Sequence, residues 1–155
     1  MDVCTGYNNI RFREGDEAKA AFKTNMGLFE PTVMPFRLQN APAVFQRMMN
    51  MQFANITVTG KVIIYMDNIL ITMEDNIPTH QKLVNQVLER LAKLDLYLKP
   101  SKCQFEVQKI EFLGVILEGG TVTMDPIKVA GVQDWKAPKT TKDICAFLGF
   151  CNFYR

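Results

Sequence analysis

One carboxylate and one amide stand side by side in Tyr65-Met66-Asp67-Asn68, between the apolar runs Lys61-Val62-Ile63-Ile64-Tyr65-Met66 and Ile69-Leu70-Ile71-Thr72-Met73. Both runs are rich in β-formers, and the two residues between them, Asp67-Asn68, have the length and composition of a β-hairpin loop. Ribbons this apolar belong inside a protein, so the tip places Asp67 where a sheet edge meets solvent. Metal-dependent phosphoryl transfer needs such a place. Carboxylates on rigid strands can hold two cations about 3.5–4 Å apart, where they stabilise the attacking and leaving oxygens. The tetrapeptide also has a purely conformational explanation, because Asp and Asn favour tight turns. On these four residues alone that explanation is preferred.

Other chemistries find less support. Cys4, Cys103, Cys145 and Cys151 form no CxxC pair and are accompanied by one histidine, His80, so zinc and a disulfide framework are poorly supported and buried, reduced thiols are expected. With 18 Lys plus Arg against 16 Asp plus Glu, the net charge of +2 does not by itself imply a nucleic-acid partner. The composition is 48% hydrophobic and 22% charged, with 9 Gly and 7 Pro in 155 residues, which excludes disorder and collagen-like repeats. No run approaches the roughly 18 apolar residues of a membrane span. Met1-Asp2-Val3-Cys4-Thr5 lacks the basic and apolar regions of a secretion signal, so an intracellular protein, cytoplasmic or nuclear, is expected.

The elements that must position the tip follow from periodicity. Asn9 to Arg13, Ala20 to Thr24 and Glu30 to Met34 read as short strands, with turns at Glu14-Gly15-Asp16 and Met26-Gly27. Asn40-Ala41-Pro42-Ala43 opens a helix to about Asn50, with Asn as a candidate cap, Pro in the first turn, and Ala41, Phe45, Met48 and Met49 on one face. Pro78 to Leu94 is amphipathic through Leu83, Val84, Val87, Leu88, Leu91 and Leu94. Leu96 to Leu98, Ile110 to Leu117 and Thr121 to Met124 read as strands, and Thr140 to about Phe153 as a last helix. Hairpins mixed with helices in this order predict an α+β fold, an antiparallel sheet with helices packed on one face.

Six segments, in register along nearly the whole chain, resemble the reverse transcriptases of gypsy-type long-terminal-repeat retrotransposons. Asp2-Val3-Cys4-Thr5-Gly6-Tyr7-Asn8-Asn9-Ile10 is similar to the family's first palm motif. The resemblance implies that Asp2 binds metal and that Tyr7 screens the sugar 2′ position. Val33-Met34-Pro35-Phe36-Arg37-Leu38-Gln39-Asn40-Ala41-Pro42-Ala43-Val44-Phe45-Gln46 resembles the second, along template and incoming nucleotide. Tyr65-Met66-Asp67-Asn68 resembles the YxDD box, Leu98-Lys99-Pro100-Ser101-Lys102-Cys103 the fourth motif, and Phe112-Leu113-Gly114 the primer grip. Met124 to Val129 and Phe147 to Arg155 resemble the segment leading into the thumb.

The resemblance implies a palm-type sheet over residues 1–117, with the fingers largely missing, and an incomplete lead into the thumb over 118–155. It implies two-metal nucleotidyl transfer to a primer 3′-hydroxyl. Asp2, Asp67 and Asn68 would be the catalytic positions, and Asp2 and Asp67 the ligands of Mg²⁺ or Mn²⁺. Tyr7, Phe36, Arg37, Gln46, Tyr65, Met66 and Lys102 would lie along nucleotide or template. RNA or DNA primer–template and deoxynucleotides would be the partners. Two residues depart from the pattern. Asn68 replaces the second Asp of the box, and an amide binds hard cations far more weakly than a carboxylate, so weak metal binding is expected. Arg37 stands where the family has Gly, whose missing side chain lets backbone approach template or nucleotide. With the upstream half of the first strand also absent, little or no polymerase activity is expected of the isolated chain, and the open sheet edge points to a homodimer or strand exchange. The alternative is a catalytically impaired remnant that binds nucleic acid or associates with itself.

Overall fold

In the computed structural model, which describes residues 1–36, 38–73 and 76–153, the strands are β1 (Val3–Cys4), β2 (Phe22–Thr24), β3 (Gly27–Phe29), β4 (Val62–Tyr65), β5 (Asn68–Ile71), β6 (Tyr97–Leu98), β7 (Lys109–Phe112), β8 (Val115–Glu118) and β9 (Thr121–Met124). The helices are α1 (Ala41–Thr57), α2 (Ile77–Lys93), α3 (Pro126–Gln133) and α4 (Thr141–Phe153). Short 3-10 turns occupy Gly6–Asn9, Glu17–Ala20 and Pro100–Lys102. The α+β expectation holds, with small antiparallel sheets throughout.

The chain divides into two units, Met1–Phe105 and Glu106–Arg155. In the first, α1 continues past the expected end near Asn50 because its apolar stripe does: Ala41, Phe45, Met49, Phe53 and Ile56 are all buried. Asn40 makes no side-chain capping bond, contrary to expectation, and Pro42 simply removes one donor that the first turn could not have satisfied. In α2 the cap is made. Asn76 Oδ1 accepts from Thr79 N at 3.1 Å, and Val87 and Leu91 point into the same core as Phe45, Met49 and Phe53. Arg90 of α2 donates to the Gln52 carbonyl of α1 and ties the two helices.

Against these helices lies the sheet. β4 and β5 form a hairpin in which Tyr65 faces Asn68, so the loop is Met66-Asp67, one residue earlier than the Asp67-Asn68 read from the sequence. Met66, with φ 54°, takes the first loop position, where the tight hairpin turns need positive φ. β1, hidden in a stretch too short to show alternation, pairs with β6 through Val3↔Leu98 and Cys4↔Tyr97. An isolated antiparallel bridge, Asp2↔Asn68, joins this ribbon to β5. The order is therefore β4, β5, β1, β6, with Val3, Val62, Ile69 and Leu70 buried.

Elsewhere the strand expectations need correction. Asn9 to Arg13 and Glu30 to Met34 reduce to the single bridge Arg11↔Val33, flanked by Met34 N→Ile10 O and Phe12 N→Thr32 O bonds. Ala20 to Thr24 begins as the end of a 3-10 turn, and only Phe22–Thr24 is strand, paired with Gly27–Phe29. In the second unit, Ile110 to Leu117 is not one strand. Leu113 and Gly114, with φ of 52° and 81°, reverse the chain between β7 and β8, and β9 completes a three-stranded sheet. Helix α3, unforeseen, is capped by Asp125, whose Oδ1 accepts from Ile127 N at 2.9 Å. α4 begins with a reciprocal box: Asp143 Oδ2 accepts from Thr140 N at 2.9 Å, and Asp143 N donates to Thr140 Oγ1 at 3.2 Å. Those bonds hold the Asp143 carboxyl below its usual pKa, the Thr140 hydroxyl foremost. Trp135 meets Phe147 edge-on, centroids 5.6 Å apart.

Candidate active site

Asp2 owes its place to two ribbons that meet across it. Val3 N donates to Asp67 O at 2.8 Å, and Ile69 N to Met1 O at 2.9 Å, so the two bonds flank Asp2 and Asn68 and leave that pair unbonded between them. In antiparallel sheets this is the close type of pair, with facing Cα atoms about 4.5 Å apart and side chains nearest one another. On its other side, Asp2 O accepts from Lys99 N at 2.9 Å. The structure thus sets Asn68 directly beside Asp2, and Asp67 one residue away at the tip.

Lys102 arrives from the Pro100–Lys102 turn, its Nζ 3.4 Å from Asp2 Oδ2. Because the lysine is largely exposed, the pair is worth no more than about 1 kcal/mol, and a cation in solution could displace it. Tyr7 is held far more firmly. It sits in the 3-10 turn Gly6–Asn9, with its ring 5.0 Å from that of Phe45 and 5.3 Å from that of Phe36. Its hydroxyl donates to Met66 Sδ at 3.6 Å. Burial, and then the charge of Asp67, raise its pKa above the ordinary tyrosine value, so it is a neutral donor at physiological pH.

The approach of Tyr7 depends on Gly6. A Cβ at Gly6 would lie 2.6 Å from Phe45 Cζ and 3.3 Å from Val3 Cγ1, and the Phe45 ring is wholly buried. Gly6 lies within the Asp2–Ile10 segment, and nothing in its residue type alone singles it out. The available signal was a glycine directly before an aromatic, where backbone must pass close to the core.

Gln46 reaches the hairpin from α1. Its Oε1 accepts from Met66 N at 2.6 Å, and its Nε2 donates to Ile64 O at 3.1 Å and to Asn50 Oδ1 at 2.8 Å. Tyr65 closes β4 with its side chain half-exposed, and Phe36 is exposed beside Tyr7. The structure therefore gathers Asp2, Tyr7, Phe36, Gln46, Tyr65, Met66, Asp67, Asn68 and Lys102 around one hairpin tip. Arg37 lies outside the described residues. Phe112, Leu113 and Gly114 form the β7–β8 turn of the second unit, with Phe112 opposite Val115.

As donors, two carboxylates and an amide oxygen are hard ligands, of the kind that magnesium and manganese take. Among the described residues no three His, Cys, Asp or Glu side chains gather into a ligand cluster. At this site Asn68 offers an amide oxygen and no carboxylate. The donor set fits a divalent cation in kind, with less charge to hold it.

Known proteins resemble the chain in sequence and in fold. Residues 1–117 match the family model described as reverse transcriptase (RNA-dependent DNA polymerase). The chain is 36% identical over 155 residues to a transposon Tf2-7 polyprotein of Schizosaccharomyces pombe, covering 100% of the chain and 12% of that protein. It is also 36% identical over 156 residues to a retrovirus-related Pol polyprotein from transposon opus of Drosophila melanogaster, covering 15% of it. Among solved structures, the foamy viral protease-reverse transcriptase in complex with dsDNA superposes with a TM-score of 0.83 at 21% identity, over 100% of this chain and 32% of that one. The same viral enzyme in complex with an RNA/DNA hybrid gives a TM-score of 0.79 at 21% identity, over 99% of this chain and 20% of that one. At that identity the likeness is one of fold, and the chain spans a small part of each relative's length.

Proposed function

We propose, from the premise that the chain belongs to the reverse transcriptase (RNA-dependent DNA polymerase) family, that the tip of the β4–β5 hairpin and Asp2 form a centre for nucleotidyl transfer to a primer 3′-hydroxyl. The observation that carries this is the Asp2↔Asn68 bridge, which brings an acidic residue from just before β1 beside the tip holding Asp67. Asp2 and Asp67 would hold Mg²⁺ or Mn²⁺, which when bound supplies charge stabilisation at the attacking and leaving oxygens. With Asn68 neutral, that affinity is weak. Tyr7, backed by Phe45 and fixed at Met66, presents a rigid aromatic edge where a deoxyribose would be told from a ribose. Phe36 beside it would pack on the incoming nucleotide. Lys102 sits at Asp2 until a cation arrives and is then available to a phosphate oxygen.

On this reading residues 1–117 are the palm part and 118–155 lead into the thumb, with Phe112 to Gly114 gripping the primer, and Arg37 would serve template or nucleotide. The partners would be an RNA or DNA primer–template and deoxynucleotides, in an intracellular compartment. Among the described residues no helix is long and apolar enough to cross a membrane.

Primer extension with Mg²⁺ and with Mn²⁺, run beside a binding assay on the same primer–template, tests the reading. Extension that is stronger with Mn²⁺ and abolished by Asp67→Ala supports it. Extension unaffected by Asp67→Ala overturns it. The alternative, a self-associating or nucleic-acid-binding protein without catalysis, is favoured by the β2–β3 hairpin, where Phe22, Met26, Leu28 and Phe29 are all exposed. Binding without extension, together with no response of Asp2 or Asp67 to either cation, would decide for it.

A further inference from the structure

We infer that Gln46 is a positioning residue, a latch that holds the Tyr65–Asn68 tip to α1 and so sets where Asp67 stands. The inference rests on the reading of Asp67 as part of the transfer centre. One side-chain amide grips the hairpin twice: its oxygen takes the Met66 N–H at 2.6 Å, and its nitrogen donates to the Ile64 carbonyl at 3.1 Å. The same nitrogen also donates to Asn50 Oδ1 at 2.8 Å, one turn further along α1, which fixes the amide's rotation. Both kinds of hydrogen-bonding atom are needed at once, and Gln supplies both from the half-buried flank of a helix whose neighbouring Phe45 and Met49 are wholly buried.

The residue so held is the strained one. Met66 has φ 54°, a region that side chains other than Gly avoid and that persists only where the surroundings over-determine it. Gln46 holds its backbone, and the Tyr7 hydroxyl meets its sulfur at 3.6 Å. Asp67 follows directly, with its carbonyl held by Val3 N at 2.8 Å. The backbone on both sides of the Asp67 side chain is therefore fixed, by β1 after it and by Gln46 before it.

The test uses the ¹⁵N-labelled chain, reading amide hydrogen exchange at Met66 and Mn²⁺-induced line broadening at Asp2 and Asp67. In the wild type the Met66 amide should be protected. Gln46→Met keeps length and apolar volume but offers neither acceptor nor donor. It should speed Met66 exchange by about tenfold, the worth of one net hydrogen bond, leave Val87 and Leu91 amides unchanged, and weaken broadening at Asp67 relative to Asp2. Gln46→Glu retains the acceptor but turns a second oxygen toward the Ile64 carbonyl, so it should bring Met66 exchange only part of the way back toward wild type. A wild-type Met66 amide exchanging as in an unfolded chain, or one equally protected in Gln46→Met, overturns the latch. Lost protection with unchanged broadening at Asp67 overturns its positioning role. A wild type whose Asp2 and Asp67 amides ignore Mn²⁺ overturns the transfer-centre reading instead, and the exchange data still judge the latch.

Discussion

The side chain of Asn68 changes what Asp2 needs. In a close antiparallel pair two carboxylates repel one another unless a cation lies between them, at a cost of about 0.2–1 kcal/mol. With Asn68 opposite, and Lys102 Nζ at 3.4 Å, Asp2 is stable without metal. Asn68→Asp should therefore lower the melting temperature in the absence of divalent ions and recover it when Mg²⁺ or Mn²⁺ is added, whereas the wild type responds little. Thermal unfolding of both chains with and without cation checks this, and a cation-independent variant would show that the two side chains do not share a site. Tyr7 gives a second test at this scale. Its ionised form is disfavoured in the fold, first by burial and then by Asp67. Its contribution to stability is thus fully present below the ordinary value of about 10 and is lost as pH rises through the higher folded value. Absorbance titration of wild type against Tyr7→Phe should show one phenol of raised pKa disappearing. Asp67→Asn should bring that phenol part of the way back, burial being the larger cause.

At the scale of elements, two glycines separate close approach from backbone freedom. Gly6→Ala drives a methyl into the buried Phe45 ring at 2.6 Å, and overpacking of this kind costs about 1–3 kcal/mol. Gly131, inside α3, has nothing within 4 Å of an added Cβ, so Gly131→Ala should stabilise that helix by about 0.5–1 kcal/mol. Denaturant unfolding should move in opposite directions for the two substitutions, with Gly6→Ala also releasing Tyr7 from its late titration. The hairpins divide in the same way. Leu113-Gly114 turns with positive φ at both positions, as a two-residue loop prefers. Met66 turns without a glycine and depends on neighbours from α1 and the Gly6–Asn9 turn.

For the whole molecule, burial is uneven. Among the described residues, every buried hydrophobic side chain lies from Val3 to Leu96, so the first unit carries the core and should resist denaturant longer than the second. In that same unit the β2–β3 ribbon stands apart as a two-stranded sheet, with Met26 85% and Leu28 68% exposed. Such a ribbon offers unpaired edges and apolar side chains to another chain. Sedimentation should show association at micromolar concentration that Leu28→Ser weakens, while a monomer throughout that range would contradict it.

Motif spacing was enough to identify the family, because a tip such as Tyr65-Met66-Asp67-Asn68 and a proline-started helix at Ala41 are local and carry their chemistry in their residue types. The two long helices were legible for a related reason: Phe45, Met49 and Phe53, or Val87 and Leu91, repeat at helical spacing within one segment. Strand β1 was not, since two residues cannot display alternation and only pairing with β5 and β6 makes Val3–Cys4 a strand. The one-residue shift of the hairpin loop has the same origin, for register is settled by which side chains a neighbouring core must bury. Asp2 facing Asn68, Gly6 against Phe45 and Gln46 on Met66 join positions far apart along the chain. Those contacts exist only once the sheet has closed on α1, so tertiary structure alone decided how the catalytic candidates stand toward one another.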